Sequence, residues 1–349
     1  MKRLRCAMVG VGAIGRPMLR MLLSQPWFEA AALVDPREEV RSALQKEFSV
    51  PGERLFSDFE TALARGGLDA ALINTPAELH APQSEAALKA GLDVLVAKPM
   101  TTDYESAVRL VARARDLGRK LCVAQQIRYN RHYTAVRRFL ATGQIGKVEH
   151  VIFMNSKPRP DPLNLKNMAQ PALYEMSCHH FDSLLSLFPD RNPEVISCDG
   201  SRPSWSRYAG PCTVNGTLTF SENLHVVYHC GFSAQADCYE LRLEGERGAL
   251  RCRGYHMSDD RMTYEVAGAS RKWEPAAIDK DVPLADPFLP FFGEWHAYLS
   301  GGKEPPFSGQ ANLKVLAALF AGEESVNAKG HPVRIADNPR FQSAFGVRS

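Results

Sequence analysis

Three glycines near the start of the chain have the spacing of a phosphate-binding loop. They lie in the run Gly10-Val11-Gly12-Ala13-Ile14-Gly15, which has the form GxGxxG. Gly10 allows a tight turn, Gly12 has no side chain to hold a pyrophosphate away, and Gly15 allows a helix to pack closely on a strand. Backbone N–H groups at the start of the following helix would face the phosphates. The chemistry that this loop predicts is the binding of a nucleotide pyrophosphate.

The segments around this loop are those that a dinucleotide-binding fold requires. An apolar strand (Leu4–Val9) precedes the loop, a helix with one apolar face follows it, and a second strand ends in Asp35, 20 residues after Gly15. A carboxylate there accepts hydrogen bonds from the adenosine ribose and repels a 2′-phosphate, which favours NAD over NADP. Arg37 is an opposing signal, because an arginine can reach such a phosphate. We expect instead that Arg37 is a solvated residue at a helix start.

Further polar residues follow the next predicted strands. Asn74-Thr75-Pro76 follows the strand 69–73, His80 lies in the loop beyond, and Lys98-Pro99 follows the strand 93–97. Open parallel sheets bind ligands at the carboxyl ends of their strands, so these segments are expected in one crevice. For His80, the alternative is a solvated loop histidine. The predicted cofactor-binding residues are Gly10, Gly12, Ala13, Ile14, Gly15, Asp35, Arg37, Asn74, Thr75, Pro76, His80 and Lys98.

A second group of titratable residues has helical spacing in the later part of the chain. Glu175, His179 and Asp182 stand at positions i, i+4 and i+7 of a helix predicted over 172–188, so they share one face. His180 is rotated about 100° away. A carboxylate one turn from a histidine can fix its tautomer and stabilise the imidazolium. The alternatives are a structural pair or a core histidine on an amphipathic helix.

Composition indicates a globular protein large enough for two domains. The 349 residues are 45% hydrophobic and 23% charged, and the net charge of +3 comes from scattered residues, so we expect no nucleic-acid partner. No apolar run reaches ~18 residues, and the first residues contain no signal-peptide segment, so we expect no membrane span and a cytoplasmic location. The eight cysteines form no CxxC pair and no group with metal-ligand spacing, so we expect reduced thiols and no metal site.

The order of predicted elements indicates an α/β protein. Alternating strands and helices predict a Rossmann domain at 1–124 with a doubly wound parallel sheet. Residues 125–349 predict an α+β domain with a large, mostly antiparallel open sheet, whose C-terminal helix can pack back on the first domain. Within it we expect helices at 131–142, 290–299 and 310–329 and a loop at 158–171. Apolar residues on the uncovered sheet face favour a homodimer or homotetramer through that face.

Five motifs together resemble the glucose–fructose oxidoreductase / inositol dehydrogenase / MocA family of NAD(P)-dependent oxidoreductases. The resemblance covers nearly the whole chain and rests on these motifs: Gly10–Gly15, Asn74-Thr75-Pro76 with His80, Val94–Pro99, Gly143–Val148 and Glu175–Asp182. It implies a Rossmann domain followed by a mostly antiparallel domain, and oxidation of a ring hydroxyl of a sugar or cyclitol, or the reverse reduction. Two residues depart from the family pattern. Ala97 replaces a Glu before Lys98, and Glu175 replaces an Asp.

The resemblance also implies the catalytic residues Lys98, His179 and Glu175. His179 has a side chain suited to removing the hydroxyl proton as the hydride leaves, and Lys98 can stabilise the alkoxide. Lys98 could instead be the base, and the sequence leaves both roles open. Side chains near strand ends or on the His179 helix suit a polyol or an acidic sugar, and each could instead be a surface residue. The predicted substrate residues are Arg128, Tyr129, Asn155, Lys157, Arg159, Tyr174, His180 and Asp182.

Two further functions are open on the same scaffold. One is an NAD-dependent glycosidase that oxidises its sugar transiently, promotes elimination and regenerates NAD. The other is a non-catalytic NAD-binding sensor or regulator, against which the presence of Lys98, Glu175 and His179 argues. Net NADH release on substrate addition would indicate a dehydrogenase, whereas glycoside cleavage without net NADH would indicate the glycosidase.

Overall fold

The structure is a computed structural model that describes residues 3–162, 165–257 and 261–346. Its helices are α1 (Gly15–Leu23), α2 (Glu38–Phe48), α3 (Phe59–Arg65), α4 (His80–Lys89), α5 (Tyr104–Asp116), α6 (Arg131–Ala141), α7 (Cys178–Leu187), α8 (Phe288–Leu299) and α9 (Gly309–Asn327). The strands before α6 are β1 (Leu4–Val9), β2 (Phe28–Val34), β3 (Leu55–Phe56), β4 (Ala70–Ile73), β5 (Asp93–Val96) and β6 (Leu121–Val123). The later strands are β7 (Val148–Ser156), β8 (Pro193–Ser201), β9 (Thr213–Phe220), β10 (Leu224–Gly231), β11 (Cys238–Gly245), β12 (Gly248–Gly254), β13 (Thr263–Ala267), β14 (Glu274–Pro275) and β15 (Val333–Arg334).

The chain divides into two compact units. The first comprises Met1–Gln126 and Pro287–Leu313, and the second comprises Ile127–Asp286 and Lys314–Ser349. The boundary expected at 124/125 lies two residues away, but the later region is not continuous, because Pro287–Leu313 belongs to the first unit. Part of the loop expected at 158–171, residues 163–164, lies outside the described residues.

The first unit contains a six-stranded parallel sheet in the order β3-β2-β1-β4-β5-β6. This order is that of the doubly wound dinucleotide-binding fold and confirms the predicted Rossmann sheet. The strands are apolar on both faces, as the buried run Ala70–Ile73 shows, because helices cover a parallel sheet on both sides. Asp58 and Asp103 start α3 and α5 by accepting hydrogen bonds from backbone N–H groups three residues on.

Aromatic packing explains why α8 belongs to the first unit. The ring of Trp295 stacks on Phe28 of β2 at a centroid distance of 5.1 Å, and Phe292 meets Phe28 edge-on at 5.8 Å. After α8, the backbone carbonyl of Phe307 accepts a hydrogen bond from the N–H of Val123 in β6. A C-terminal helix that packs back on the first domain was expected from the sequence, and α8 is a helix that packs on β2 in this way.

The second unit contains a nine-stranded sheet in the order β14-β13-β12-β11-β7-β10-β9-β8-β15. Strands β7 and β10 pair in parallel and the other neighbours are antiparallel, which confirms the mostly antiparallel sheet. Side chains alternate along β7 and β10. Phe153 and Tyr228 are buried, whereas Met154 and Val227 are 36% and 44% exposed.

One predicted helix has a different form. The segment expected as a single α-helix over 172–188 begins with a π-helical turn at Leu173–Ser177, and α7 follows it. A π turn closes i→i+5 hydrogen bonds, so the α-helical spacing assumed between Glu175 and His179 does not apply across it. Such a turn has no periodic pattern that a single sequence reveals. The two-residue strands β3 and β14 were also beyond prediction, because they are too short to show alternation.

None of the described helices combines the length and the apolar character needed to cross a bilayer. Seven of the eight cysteines are buried, Cys238 is partly exposed, and none of these described residues forms a disulfide.

Candidate nucleotide and substrate sites

The loop between β1 and α1 requires glycine at two of its three glycine positions. Gly10 has φ +80°, and a Cβ atom there would lie 2.7 Å from the carbonyl oxygen of Asn74. A Cβ atom on Gly15 would lie 2.1 Å from the carbonyl oxygen of Gly10. At Gly12, by contrast, the contact within 4 Å among the described residues would be Nη2 of Arg37, at 3.3 Å. Gly12 therefore borders open space, which is the property a bound pyrophosphate needs.

An open cleft of about 410 Å³ lies beside this loop. The residues that line it are Gly12, Ala13, Arg16, Pro17, Arg20, Arg37 and Val40. Ile14, at the N-cap of α1, is 68% exposed. A glycine cradle, a helix start and three arginines suit the phosphates of a dinucleotide, so the residues present fit NAD in the first unit.

Asp35 stands directly after β2 and is only 2% exposed. Its Oδ1 accepts hydrogen bonds from the backbone N–H of Arg37 (3.1 Å) and from Nε of Arg37 (2.9 Å). Its Oδ2 accepts from the backbone N–H of Val11 (3.2 Å) and from Nη2 of Arg37 (3.0 Å). Burial alone would raise the pKa of Asp35, but these bonds hold it below its usual value. Arg37 is the N-cap of α2 and its side chain is 54% exposed, as expected of a solvated residue at a helix start. Its guanidinium also pairs with Asp35, because the buried carboxylate needs a compensating charge.

His80 links the loop after β4 to the loop after β5. Its Nδ1 lies 2.7 Å from the carbonyl oxygen of Pro99, and its Nε2 lies 2.8 Å from that of Thr75. The ring is 1% exposed, and burial lowers its pKa. The alternative of a solvated loop histidine is therefore wrong, and His80 is the first residue of α4 rather than a loop residue. Its predicted contact with the cofactor stays a prediction. His80 anchors the cis Lys98–Pro99 segment and thereby the backbone of Lys98.

Asn74 and Thr75 hold the end of β4. The Thr75 hydroxyl donates to Oε1 of Gln83 (2.6 Å), and Nδ2 of Asn74 donates to Sδ of Met8 (3.0 Å). The buried Oδ1 of Asn74 has no hydrogen-bond partner among the described residues. With Pro76, these residues form the turn against which Gly10 packs.

In the second unit, His180 belongs to a buried network. Nδ2 of Asn155 donates to its Nε2 (2.9 Å), so its Nδ1 carries the proton and donates to the hydroxyl of Tyr228 (2.7 Å). That hydroxyl donates to Oγ of Ser177 (2.6 Å), which donates to the carbonyl of Ala172 (3.2 Å). Burial lowers the pKa of His180 to about 3. His180 and Asn155 are 0% and 1% exposed, so the structure places these predicted substrate residues in the interior, where they join α7 to the sheet.

Arg128 and Asp182 form a buried ion pair. Nε and Nη2 of Arg128 donate to the two carboxylate oxygens of Asp182, at 3.0 and 2.8 Å. The residues are 5% and 1% exposed. Burial raises the pKa of Asp182, and the guanidinium opposes that rise. The pair fixes α7 to the turn after β6, and we no longer assign either residue to substrate.

The remaining predicted residues of the second unit are partly exposed. Nη1 of Arg159 lies 3.3 Å from Oε1 of Glu175. Nζ of Lys157 lies 3.2 Å from Nε2 of His256, and burial lowers the pKa of Lys157. The Tyr174 hydroxyl donates to Glu323 of α9 (2.7 Å), and Tyr129 ends the turn Gln126–Tyr129. No sequence pattern indicated His256, because it lies 99 residues from Lys157 along the chain.

His179 is the second residue of α7 and is 6% exposed. His179 lies between Ser177 and His180, which both belong to the buried network through Tyr228, and this network fixes its backbone position. Lys98 belongs to the first unit and His179 to the second. Their joint action on one substrate stays a prediction.

Comparisons with known proteins agree with this fold. Residues 4–125 match the GFO_IDH_MocA model, described as an oxidoreductase family with an NAD-binding Rossmann fold, and residues 133–251 match the GFO/IDH/MocA C-terminal domain. An inositol 2-dehydrogenase of Streptomyces avermitilis is 32% identical over 335 residues, which is 93% of this chain and 91% of that protein. One from Corynebacterium glutamicum is 29% identical over 211 residues. That match covers 60% of this chain and 60% of the relative's length.

Solved structures share the fold at lower identity. An oxidoreductase from Agrobacterium radiobacter in complex with NAD⁺, L-tartaric acid and magnesium superposes with a TM-score of 0.86, at 19% identity, over 96% of this chain and 99% of that chain. The aldose-aldose oxidoreductase of Caulobacter crescentus, complexed with glycerol, gives a TM-score of 0.83 at 19% identity, over 95% and 100%. The match over nearly the full length, the two family domains in order and the glycine loop on its six-stranded sheet place this chain in the Gfo/Idh/MocA family of oxidoreductases with an NAD-binding Rossmann domain.

Proposed function

We propose that the protein is an NAD-dependent dehydrogenase that transfers a hydride between NAD and a ring CH–OH of a cyclitol, sugar or sugar acid. The observation that carries this proposal is the 32% identity to the S. avermitilis inositol 2-dehydrogenase over 93% of the chain. Lys98, His179 and the carboxylate of Glu175 support it, because oxidation of a carbinol requires a charge and a base beside the oxygen.

Each proposed group has a distinct role. Bound NAD supplies the hydride acceptor. His179 takes the hydroxyl proton while the C–H bond breaks, and the ammonium of Lys98 stabilises the negative charge that develops on oxygen. Glu175 pairs with Arg159. Its role of orienting the imidazole is proposed from the family resemblance, because the π turn removes the α-helical spacing between Glu175 and His179. Glycines 10, 12 and 15 position the pyrophosphate, and Asp35 faces the adenosine ribose.

Substrate contacts are proposed for the partly exposed side chains of the second unit. Tyr129, Lys157, Arg159 and Tyr174 have the partial exposure that contact with a reversible ligand requires. Two of the four are basic, which favours a polyol that carries a carboxylate. Arg128, Asn155, His180 and Asp182 are left out because each is bonded within the protein interior.

A substrate screen tests the proposal. Purified protein and NAD are mixed with inositols, monosaccharides and sugar acids, and NADH absorbance is followed. We expect NADH to appear with at least one compound, and Lys98→Ala to lower its rate by about 10² or more while cofactor binding persists. Lys89→Ala, at an exposed lysine paired with Glu85, is the matched control and should keep the rate. Glycoside cleavage without net NADH would contradict the proposal and indicate the glycosidase.

We also propose a homodimer or homotetramer through the sheet face that exposes Met154 and Val227. Light scattering of the native protein and of Val227→Glu would test this assembly, which the charge should dissociate. A monomeric native protein would contradict it. The cytoplasmic location stays a prediction from the sequence.

A further inference from the structure

The helix that carries Glu175 and His179 changes its form between these two residues. Glu175 lies inside the π turn Leu173–Ser177, and His179 is the second residue of α7. The backbone N–H of Cys178 bonds to the carbonyl of Leu173, five residues earlier, as a π turn requires. A regular α-helix would place this bond four residues earlier and change the rotation about the helix axis. The direction of Glu175 relative to His179 therefore depends on the π turn.

Two side chains of this segment bond to carbonyl groups of the turn. Oγ of Ser177 donates to the carbonyl of Ala172 (3.2 Å), and Sγ of Cys178 donates to the carbonyl of Tyr174 (3.2 Å). Such bonds compete with the N–H groups that would use the same carbonyls in a regular α-helix. They favour the π turn only while the Ser177 hydroxyl is held in the orientation that reaches Ala172.

A single phenol holds residues on both sides of His179. The hydroxyl of Tyr228, on β10, donates to Oγ of Ser177 (2.6 Å) and accepts from Nδ1 of His180 (2.7 Å). All three side chains are at most 1% exposed, so solvent has no access to replace a lost partner. Ser177 ends the π turn and His180 belongs to the first turn of α7, so the phenol determines how the two helical segments join.

We propose that Tyr228 is a positioning residue of the dehydrogenase reaction. Through Ser177 and His180 it holds the π turn, and the turn presents the Glu175 carboxylate to His179. Its loss slows the transfer of the proton and the hydride, because a misplacement of about 1 Å lowers a rate by about 10². Substrate binding is kept, since Lys157 and Arg159 lie outside the π turn. The inference rests on the proposed dehydrogenase activity and on its assignment of Glu175 and His179.

Steady-state kinetics of the full chain, with NAD and a polyol that the native protein oxidises, test this inference. We expect Tyr228→Phe to lower kcat by about tenfold or more and to change KM by less than about threefold. Tyr239→Phe is the matched control and should change kcat by less than about threefold. Its phenol is as buried and also bridges two side chains, bonding to Nε2 of His132 (2.8 Å) and to the hydroxyl of Tyr133 (3.2 Å), both on α6.

A double-mutant cycle with Glu175→Gln separates positioning from general damage. If Tyr228 acts through Glu175, Tyr228→Phe lowers kcat by less than about threefold further once the carboxylate is gone, because the two changes remove one interaction. Independent effects would multiply instead. Ser177→Ala is a second variant that removes the same contact, and alanine also favours an α-helix. It should reproduce the loss of kcat and the non-additivity, and it replaces Tyr228→Phe if that variant does not fold.

The inference is overturned if the native protein oxidises a polyol and Tyr228→Phe loses less than about tenfold in kcat, or changes KM alone. It is also overturned if Tyr239→Phe loses as much kcat, or if the effects of Tyr228→Phe and Glu175→Gln multiply. These outcomes leave the proposed function in place. A native protein that releases no NADH from any polyol has a different signature, because it overturns the proposed function and this inference with it.

Discussion

Arg128 and Asp182 form an ion pair from which solvent is excluded, and this contact shows how burial limits the roles of polar residues. Sequence reasoning associates both side chains with substrate, yet they bond to each other within the second unit. The two residues are separated by 54 positions, so no local pattern pairs them. The hydrogen-bond partners of Asn155 and His180 also lie far away along the chain, so they could not be predicted from the sequence either.

Removing one member of this pair should destabilise the protein strongly. We expect Asp182→Ala to lower the free energy of unfolding by about 3–5 kcal/mol, because it leaves the Arg128 guanidinium buried without a counter-charge. The double variant Arg128→Met with Asp182→Leu should lose much less, since no charge then remains buried. Denaturant unfolding of both variants measures the difference. An equal loss in the single and double variants would contradict the explanation.

Two buried histidines predict a pH-dependent stability. Burial lowers the pKa of His132 and of His180 to about 3, against ~6.5 in an unfolded chain. Between these values the unfolded state binds more protons, so the free energy of unfolding falls as the pH drops below about 6.5. Each histidine contributes about 1.4 kcal/mol per pH unit. The stabilisation is complete above that pH.

We expect His132→Gln to make the fall in Tm on acidification shallower, because glutamine stays neutral and can still bond to the hydroxyl of Tyr239. Calorimetric scans at about pH 7 and about pH 5 provide the comparison. If the two proteins lose the same number of degrees, His132 does not carry the predicted pH dependence.

At the scale of elements, two glycines of the loop between β1 and α1 should have different roles: we expect Gly15 to be required for folding and Gly12 to be required for cofactor binding. Gly15→Ala would place a Cβ atom 2.1 Å from a backbone oxygen, whereas Gly12→Ala would meet only the end of the flexible Arg37 side chain. We expect Gly15→Ala to lower Tm by about 4 °C or more. Gly12→Ala should change Tm by less than about 2 °C but weaken NADH binding by more than about tenfold. Calorimetry and fluorescence titration of both variants measure these effects. Unimpaired NADH binding by Gly12→Ala would contradict the placement of the pyrophosphate.

The elements that the sequence predicted are those with a long periodic pattern or a local spacing rule. The alternation of strand and helix up to residue 124, the GxGxxG loop and Asp35 needed only neighbours along the chain. The π turn at Leu173–Ser177 was not predictable, because its residues fit an α-helix equally well. The hydrogen bond that stabilises it comes from Tyr228 on β10, which is distant along the chain. The pairing of Arg37 with Asp35 was open for a similar reason. This pairing depends on the rotamer of the Arg37 side chain, which the spacing of residues along the sequence does not determine.

At the scale of the whole molecule, the chain leaves the first unit after Gln126 and returns to it at Pro287. The returning segment supplies aromatic rings that cover Phe28 and a backbone partner for β6. All six strands of the first sheet precede this segment, but the packing over Phe28 is complete only when it is present. A domain boundary drawn from local patterns misses this dependence.

A fragment of residues 1–126 should consequently fail to fold cooperatively. Joining it through a flexible Gly/Ser linker to 287–313 should restore a cooperative thermal transition and NADH binding, because Trp295 and Phe292 again cover the sheet. Circular dichroism on heating and fluorescence titration compare the two fragments. A stable, NADH-binding fragment 1–126 would show that the returning segment is dispensable.

The most direct test of the dehydrogenase proposal follows the hydrogen itself. The protein and NAD are incubated with a responsive polyol that carries deuterium on its ring carbons, and the reduced cofactor is analysed by mass spectrometry. We expect one deuterium on the nicotinamide of the product with the native protein, and little with Lys98→Ala or His179→Ala although both variants bind the cofactor. Reduced cofactor without deuterium, or equal labelling by the native protein and both variants, would contradict the proposal.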